Sequence, residues 1–131
     1  MEVNFTITKG KQYTLITGEG ERTDLTSLIE GTKKIQQIAM ENDADFLLLD
    51  YRKVKFSVPY TEAYNIVKIY EQKMPVFSKL VMAAVVKKLD WEIAKFWEST
   101  SNKRGYTFKV FKHMNEAQSW LSEEIKRRSP L

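Results

Sequence analysis

The chain has 131 residues, 43% hydrophobic and 29% charged, a balance that suits one globular domain with a core and not a disordered chain. It has no cysteine, which removes a disulfide framework, a cysteine nucleophile and a cysteine-bound metal, and fits a reducing, cytoplasmic setting. The net charge of +4 is too mild to argue for nucleic acid, Met1-Glu2-Val3-Asn4 opens nothing like a secretory leader, and the longest apolar run, Leu80 to Val86, is too short to cross a membrane.

Val3, Phe5 and Ile7 alternate with polar residues, Lys9-Gly10-Lys11 interrupts, and Tyr13, Leu15 and Thr17 resume. Residues 3–18 therefore read as a β-hairpin, with Gly18-Glu19-Gly20 ending its second strand. Thr23 or Asp24 is a good N-cap for a helix whose apolar stripe is Leu25, Leu28, Ile29, Ile35, Ile38 and Ala39. Gly31 costs that helix about 1 kcal/mol against alanine, which marks a close contact. Glu41-Asn42-Asp43 closes it. Phe46 to Leu49 reads as a strand buried on both faces. The charged stretch from Asp50 to Ser57 reads as a loop.

Pro59 opens a second helix, with Ala63, Ile66, Val67 and Tyr70 inward, and Met74-Pro75 stops it. Leu80 to Val86 is a second buried strand. Asp90 is placed to cap a third helix carrying Trp91, Ala94, Phe96 and Trp97. Gly105 suits the left-handed position that ends that helix. Tyr106, Phe108 and Val110 alternate as a strand. A last helix begins at His113 or Asn115 and turns Ala117, Trp120, Leu121 and Ile125 inward, leaving residues 127–131 as a frayed tail. The order ββαβαβαβα predicts a single α/β domain spanning 1–131: an N-terminal hairpin, then alternating helices and strands in a mostly parallel mixed sheet covered by helices.

Three segments resemble the STAS-like family, in particular its SpoIIAA-like group of anti-anti-sigma factors. They are Phe46-Leu47-Leu48-Leu49-Asp50-Tyr51-Arg52, the central strand Lys79 to Val86, and the closing unit Gly105 to Leu121 with its Ala117-x-x-Trp120-Leu121 helix. The resemblance covers nearly the whole chain. It implies the STAS fold and a role in regulation or ligand binding. Phosphorylated members carry an Asp-Ser pair at the start of the helix after the first of these strands. Here that stretch reads Lys55-Phe56-Ser57-Val58-Pro59-Tyr60-Thr61, with hydroxyls at Ser57 and Thr61 but no such pair.

Catalytic patterns are sparse. His113 is the lone histidine, so a metal site built on several histidines is impossible, and it reads as a surface residue where a helix starts. No phosphate-binding loop follows Gly18-Glu19-Gly20. Asp50 and Asp90 fall at one edge of a parallel sheet, where paired carboxylates can do acid–base work and where capping aspartates are commoner. Arg52, Lys53 and Lys55 follow one strand, Lys87 and Lys88 the next, Lys112 and His113 the last. That edge attracts anions, with acidic neighbours offsetting part of the charge. Trp91 stands beside it, and Tyr60 and Tyr64 widen the apolar face of their helix beyond what a core needs, which suits a partner or a second subunit.

The reading that results is a non-enzymatic regulatory module acting through protein contacts, with Asp50, Arg52, Lys53, Ser57, Tyr60, Tyr64, Lys87, Lys88, Trp91 and His113 as candidate contact residues and no cofactor or metal. The alternative is a carrier or sensor of a small apolar or anionic ligand such as a lipid, held in a pocket near Tyr64, Trp91, Phe96 or Met82. A hydrolase using Asp50 and His113 is the remote third reading.

Overall fold

Thr14 and Ile16 are buried with Leu15 half-buried between them, and the run Val81–Val86 is buried throughout, which sets the sheet at the centre of the molecule. The computed structural model describes residues 4–9 and 12–128. Strands β1 (Asn4–Lys9), β2 (Thr14–Arg22), β3 (Phe46–Phe56), β4 (Val81–Val86) and β5 (Thr107–Phe111) form one sheet in sequence order. β1 and β2 pair antiparallel and the other neighbours pair parallel. Helices α1 (Leu25–Glu41), α2 (Tyr60–Lys73) and α3 (Trp91–Lys103) make the crossovers and α4 (Met114–Arg128) follows the last strand, with short 3-10 turns at Pro75–Lys79 and Lys88–Asp90.

The sheet has two unequal cores. Leu28, Ile35 and Ile38 of α1, Ile66, Val67 and Tyr70 of α2 and Ala94 of α3 pack on one face with Ile16, Leu47, Leu49, Tyr51, Met82, Ala84 and Val86. On the other face, Ala117, Leu121 and Ile125 of α4 cover Leu48, Val81, Ala83 and Val85. Leu47 and Leu48 are neighbours in sequence and both fully buried, one in each core, as a strand covered on both faces requires.

The helix boundaries follow local chemistry. Asp24 caps α1: its Oδ1 accepts the Ser27 amide at 2.8 Å, and Ser27 Oγ accepts the Asp24 amide at 3.2 Å, a reciprocal capping box. At the other end Asp43 takes the left-handed conformation (φ 50°), and the Ala44 amide donates to the Ala39 carbonyl at 2.9 Å. Gly105 takes φ 90° just after α3.

Four expectations are corrected. The second strand does not end at Gly18-Glu19-Gly20. It continues to Arg22, through a register shift between Thr17 and Glu19 and a positive φ at Gly20. Residues 50–56 are strand, not loop. β4 pairs β3 only as far as Tyr51, so Lys53–Phe56 pair with β2 alone and form a two-stranded arm. One extra residue of β3 stands opposite β2 between Asp50 and Lys53, a bulge that shifts Val54 into the core face. The Asp90 side chain makes no capping hydrogen bond to α3. Arg127 and Arg128 are helical rather than frayed. Val3, Gly10, Lys11 and residues 129–131 lie outside the described residues.

Candidate functional site

The carboxyl ends of β3, β4 and β5 and the starts of α2 and α3 define one rim. It gathers the candidates Lys53, Ser57, Tyr60, Lys87, Lys88, Trp91 and His113, with Tyr64 one turn further along α2. Asp50 and Arg52 lie earlier in β3, and Asp50 shares the strand parity of Leu48, on the α4 face.

The acidic candidates are each taken by a cation. Arg52 Nε donates to Asp50 Oδ1 at 2.9 Å and Arg52 Nη2 to Oδ2 at 2.8 Å. This bidentate pair holds the Asp50 carboxyl below the usual carboxylate range, against an opposing push from burial. Asp90 is 5% exposed. Burial pushes its carboxyl up, and the Lys87 ammonium 3.6 Å away pulls it back. The same ammonium donates to the Val54 carbonyl at 3.1 Å, on the arm of β3 that β4 leaves uncovered. Lys87 thus satisfies one backbone carbonyl on the free edge of that arm. His113 is exposed, and its carbonyl accepts the Ala117 amide in the first turn of α4. Among the described residues no hydrogen bond or ion pair joins Asp50, Asp90 and His113 to one another, and no cluster of acidic or histidine side chains is arranged to hold a metal.

The aromatic candidates are half engaged. Tyr60 is 48% exposed and stacks on Phe96 of α3 at a centroid distance of 5.0 Å. The Tyr64 hydroxyl accepts from Arg104 Nη2 at 3.0 Å, and Arg104 also pairs with Glu71. Part of the extra apolar width of α2 is therefore spent on α3. Trp91 is half-buried, with the ammonium groups of Lys112 and Lys95 at 4.8 and 5.6 Å from its ring centroid.

Two cavities lie under the helices, between α1–α3 and the sheet, and each offers about 20 Å³ of free space, room for about one water. Thr32, Tyr70 and Trp97 line both. Met82 lines the second, whereas Tyr64, Trp91 and Phe96 line neither. The first is apolar apart from Thr32, Tyr70, Trp97 and the guanidinium of Arg22, which is 1% exposed and lies 5.1 Å from the Tyr51 ring centroid. The sequence gives no sign of Arg22 as a buried residue. Its one indirect trace is Gly31, whose missing side chain leaves the space that Arg22 fills.

No protein-family model matches the chain, and no curated protein matches it. Solved structures do. A DUF3478-family protein from Shewanella loihica PV-4, described as having a SpoIIAA-like fold, superposes with a TM-score of 0.56 at 13% identity, over 92% of this chain and 93% of that one. An anti-sigma factor antagonist from Mycobacterium paratuberculosis superposes with a TM-score of 0.59 at 9% identity, over 92% and 95%. The chain has the SpoIIAA-like fold. Within that fold, the segment leading into α2 runs from the end of the arm: the Ser57 amide donates to the Arg22 carbonyl at 2.9 Å, and Pro59 occupies the N-cap position without a side-chain hydrogen bond. Ser57 and Thr61 are both exposed on this rim. No helix among the described residues is long and apolar enough to cross a membrane.

Proposed function

We propose that the chain is a non-enzymatic regulatory module that binds a partner protein through the rim formed by the β3 arm and the starts of α2 and α3. The observation that carries the reading is the fold itself, shared over nearly the whole chain with a protein described as an anti-sigma factor antagonist. The rim's chemistry agrees. Its Asp90 carboxylate is paired with Lys87, while Tyr60, Ser57 and Lys88 face outward. Tyrosine at an exposed, rigid position offers a large contact area at small entropic cost. Protein binding is favoured over ligand carriage because cavities of about 20 Å³ do not hold a lipid.

Affinity capture from the chain's own cells tests this, using wild type and a Tyr60→Asp variant side by side. The expected result is one protein retained in stoichiometric amount by wild type and about tenfold less by the variant, the loss typical of a central aromatic contact. Retention of the same proteins by wild type, variant and a tag-only control would reject it.

A further inference from the structure

The turn from β4 into α3 carries a feature that a protein-binding rim does not require. Leu89 is 90% exposed at the middle of the one-turn segment Lys88–Asp90, with exposed Lys88 before it. Asp90, the acidic residue of the turn, points inward and is 5% exposed. Two positions on from Leu89, the half-buried Trp91 has the ammonium groups of Lys95 and Lys112 at 5.6 and 4.8 Å from its ring centroid. Lys87 bridges the Val54 carbonyl of the arm and the Asp90 carboxyl, which places the arm that carries Lys55 beside this turn. The exposed carboxylates of this stretch are Glu92 and Glu116, near the starts of α3 and α4, and the exposed cations Lys55, Lys88 and Lys112 outnumber them, Lys95 being paired with Glu98.

We propose that this turn docks on an anionic phospholipid surface, Leu89 and Trp91 entering the boundary between headgroups and acyl chains while the lysines face the phosphates. An aliphatic tip this exposed, next to Lys88, suits a bilayer, which receives a protruding side chain without a preformed pocket. A folded partner would have to supply one. Tryptophan and lysine are the side chains whose apolar bodies and polar tips fit that boundary. The attraction of each lysine for an anionic leaflet adds to the apolar insertion and is screened by salt.

Sedimentation with vesicles of phosphatidylcholine alone, and of phosphatidylcholine with phosphatidylserine, tests the proposal. Wild type is expected to bind the phosphatidylserine vesicles about tenfold or more above the neutral ones and to be released as salt rises. Leu89→Glu, at a position too exposed to disturb the fold, is expected to weaken binding about tenfold, and Lys88→Glu to weaken it less steeply. Absence of binding, equal binding to both vesicles, or Leu89→Glu binding like wild type would overturn it. So would loss of a captured protein by Leu89→Glu with no vesicle binding by wild type, which would assign the turn to an acidic protein instead.

Discussion

The Glu98 carboxylate of α3 accepts the backbone amide of Val110 in the edge strand β5 at 2.7 Å. Two residues back along β5, the Phe108 amide donates to Asn102 Oδ1 at 3.4 Å. Glu98 and Asn102 are four apart on α3, so one helix face supplies acceptors at the two-residue spacing of the strand. This covers donors that an edge strand otherwise offers to another chain. Lys95 donates to the other Glu98 oxygen at 2.6 Å and balances its charge.

Glu98→Ala is therefore expected to cost about 2 kcal/mol, the loss of a charged acceptor from a buried amide, with Glu98→Gln costing less. Urea unfolding measures both. Hydrogen exchange at the Val110 amide should accelerate by more than at Val85, in the interior strand β4. Equal stability of wild type and Glu98→Ala would show that the edge amides are served by water.

Gly31 and Arg22 give a sign reversal. A Cβ on Gly31 would stand 2.5 Å from Arg22 Nη2 and 2.6 Å from its Cζ. Arg22 is packed near the rings of Tyr51 and Phe56, so it has little room to retreat. Gly31→Ala should destabilise by about 1–3 kcal/mol despite the better helix propensity of alanine. On an Arg22→Met background the same change should become neutral or stabilising by up to about 1 kcal/mol. A loss of equal size on both backgrounds would contradict the contact.

Trp97 Nε1 donates to the Tyr70 hydroxyl at 2.9 Å between α3 and α2. Tyr70 is 4% exposed, and burial pushes its hydroxyl far above the ordinary tyrosine range, so it stays protonated. Tyr70→Phe is expected to cost about 1 kcal/mol by leaving the indole N–H without that acceptor. Trp97→Phe should cost more, about 2 kcal/mol, because ring volume facing Phe108 is lost as well. In the double variant the Tyr70→Phe cost should fall towards zero, since no indole N–H is left to strand. Full additivity in thermal unfolding would argue against coupling.

Arg52 holds the Asp50 carboxyl low in the folded state. The folded chain then takes up that proton less readily than the unfolded chain. The pair stabilises above the unfolded value, about pH 4, and its contribution disappears as pH falls through the folded value. Arg52 is half exposed, so the contribution at neutral pH is about 1 kcal/mol or less. Asp50→Asn should be less stable than wild type at pH 7, with the gap closing below about pH 4. A gap that is constant with pH would place the cost in packing instead of charge.

The strand–helix alternation was legible because apolar spacing carries it: the two-sided runs at Phe46–Leu49 and Leu80–Val86, and the stripes of α1 and α4, report burial directly. The arm at 53–56 was not legible. Lys53 and Lys55 face solvent and the segment pairs on one side only, so its composition is that of a loop while its backbone is a strand. The bulge before it breaks the alternation that would have revealed it. At the rim, the clustering of Ser57, Tyr60, Lys87, Lys88 and Trp91 followed from the parallel order alone. The separation of Asp50 and Arg52 from them depends on strand parity across that bulge. The roles of Arg22 and Glu98 arise from contacts between elements distant in sequence, which no local pattern encodes.

The central claim is that the chain acts by binding a protein and not by carrying a ligand in its core. Native mass spectrometry of the chain purified from its own cells tests it most directly. The account predicts a complex of the chain with one partner protein, and a chain mass free of any bound small molecule once that complex is dissociated. A stoichiometric lipid or other ligand that stays with the isolated chain would contradict it and move the function to the cavity beside Arg22.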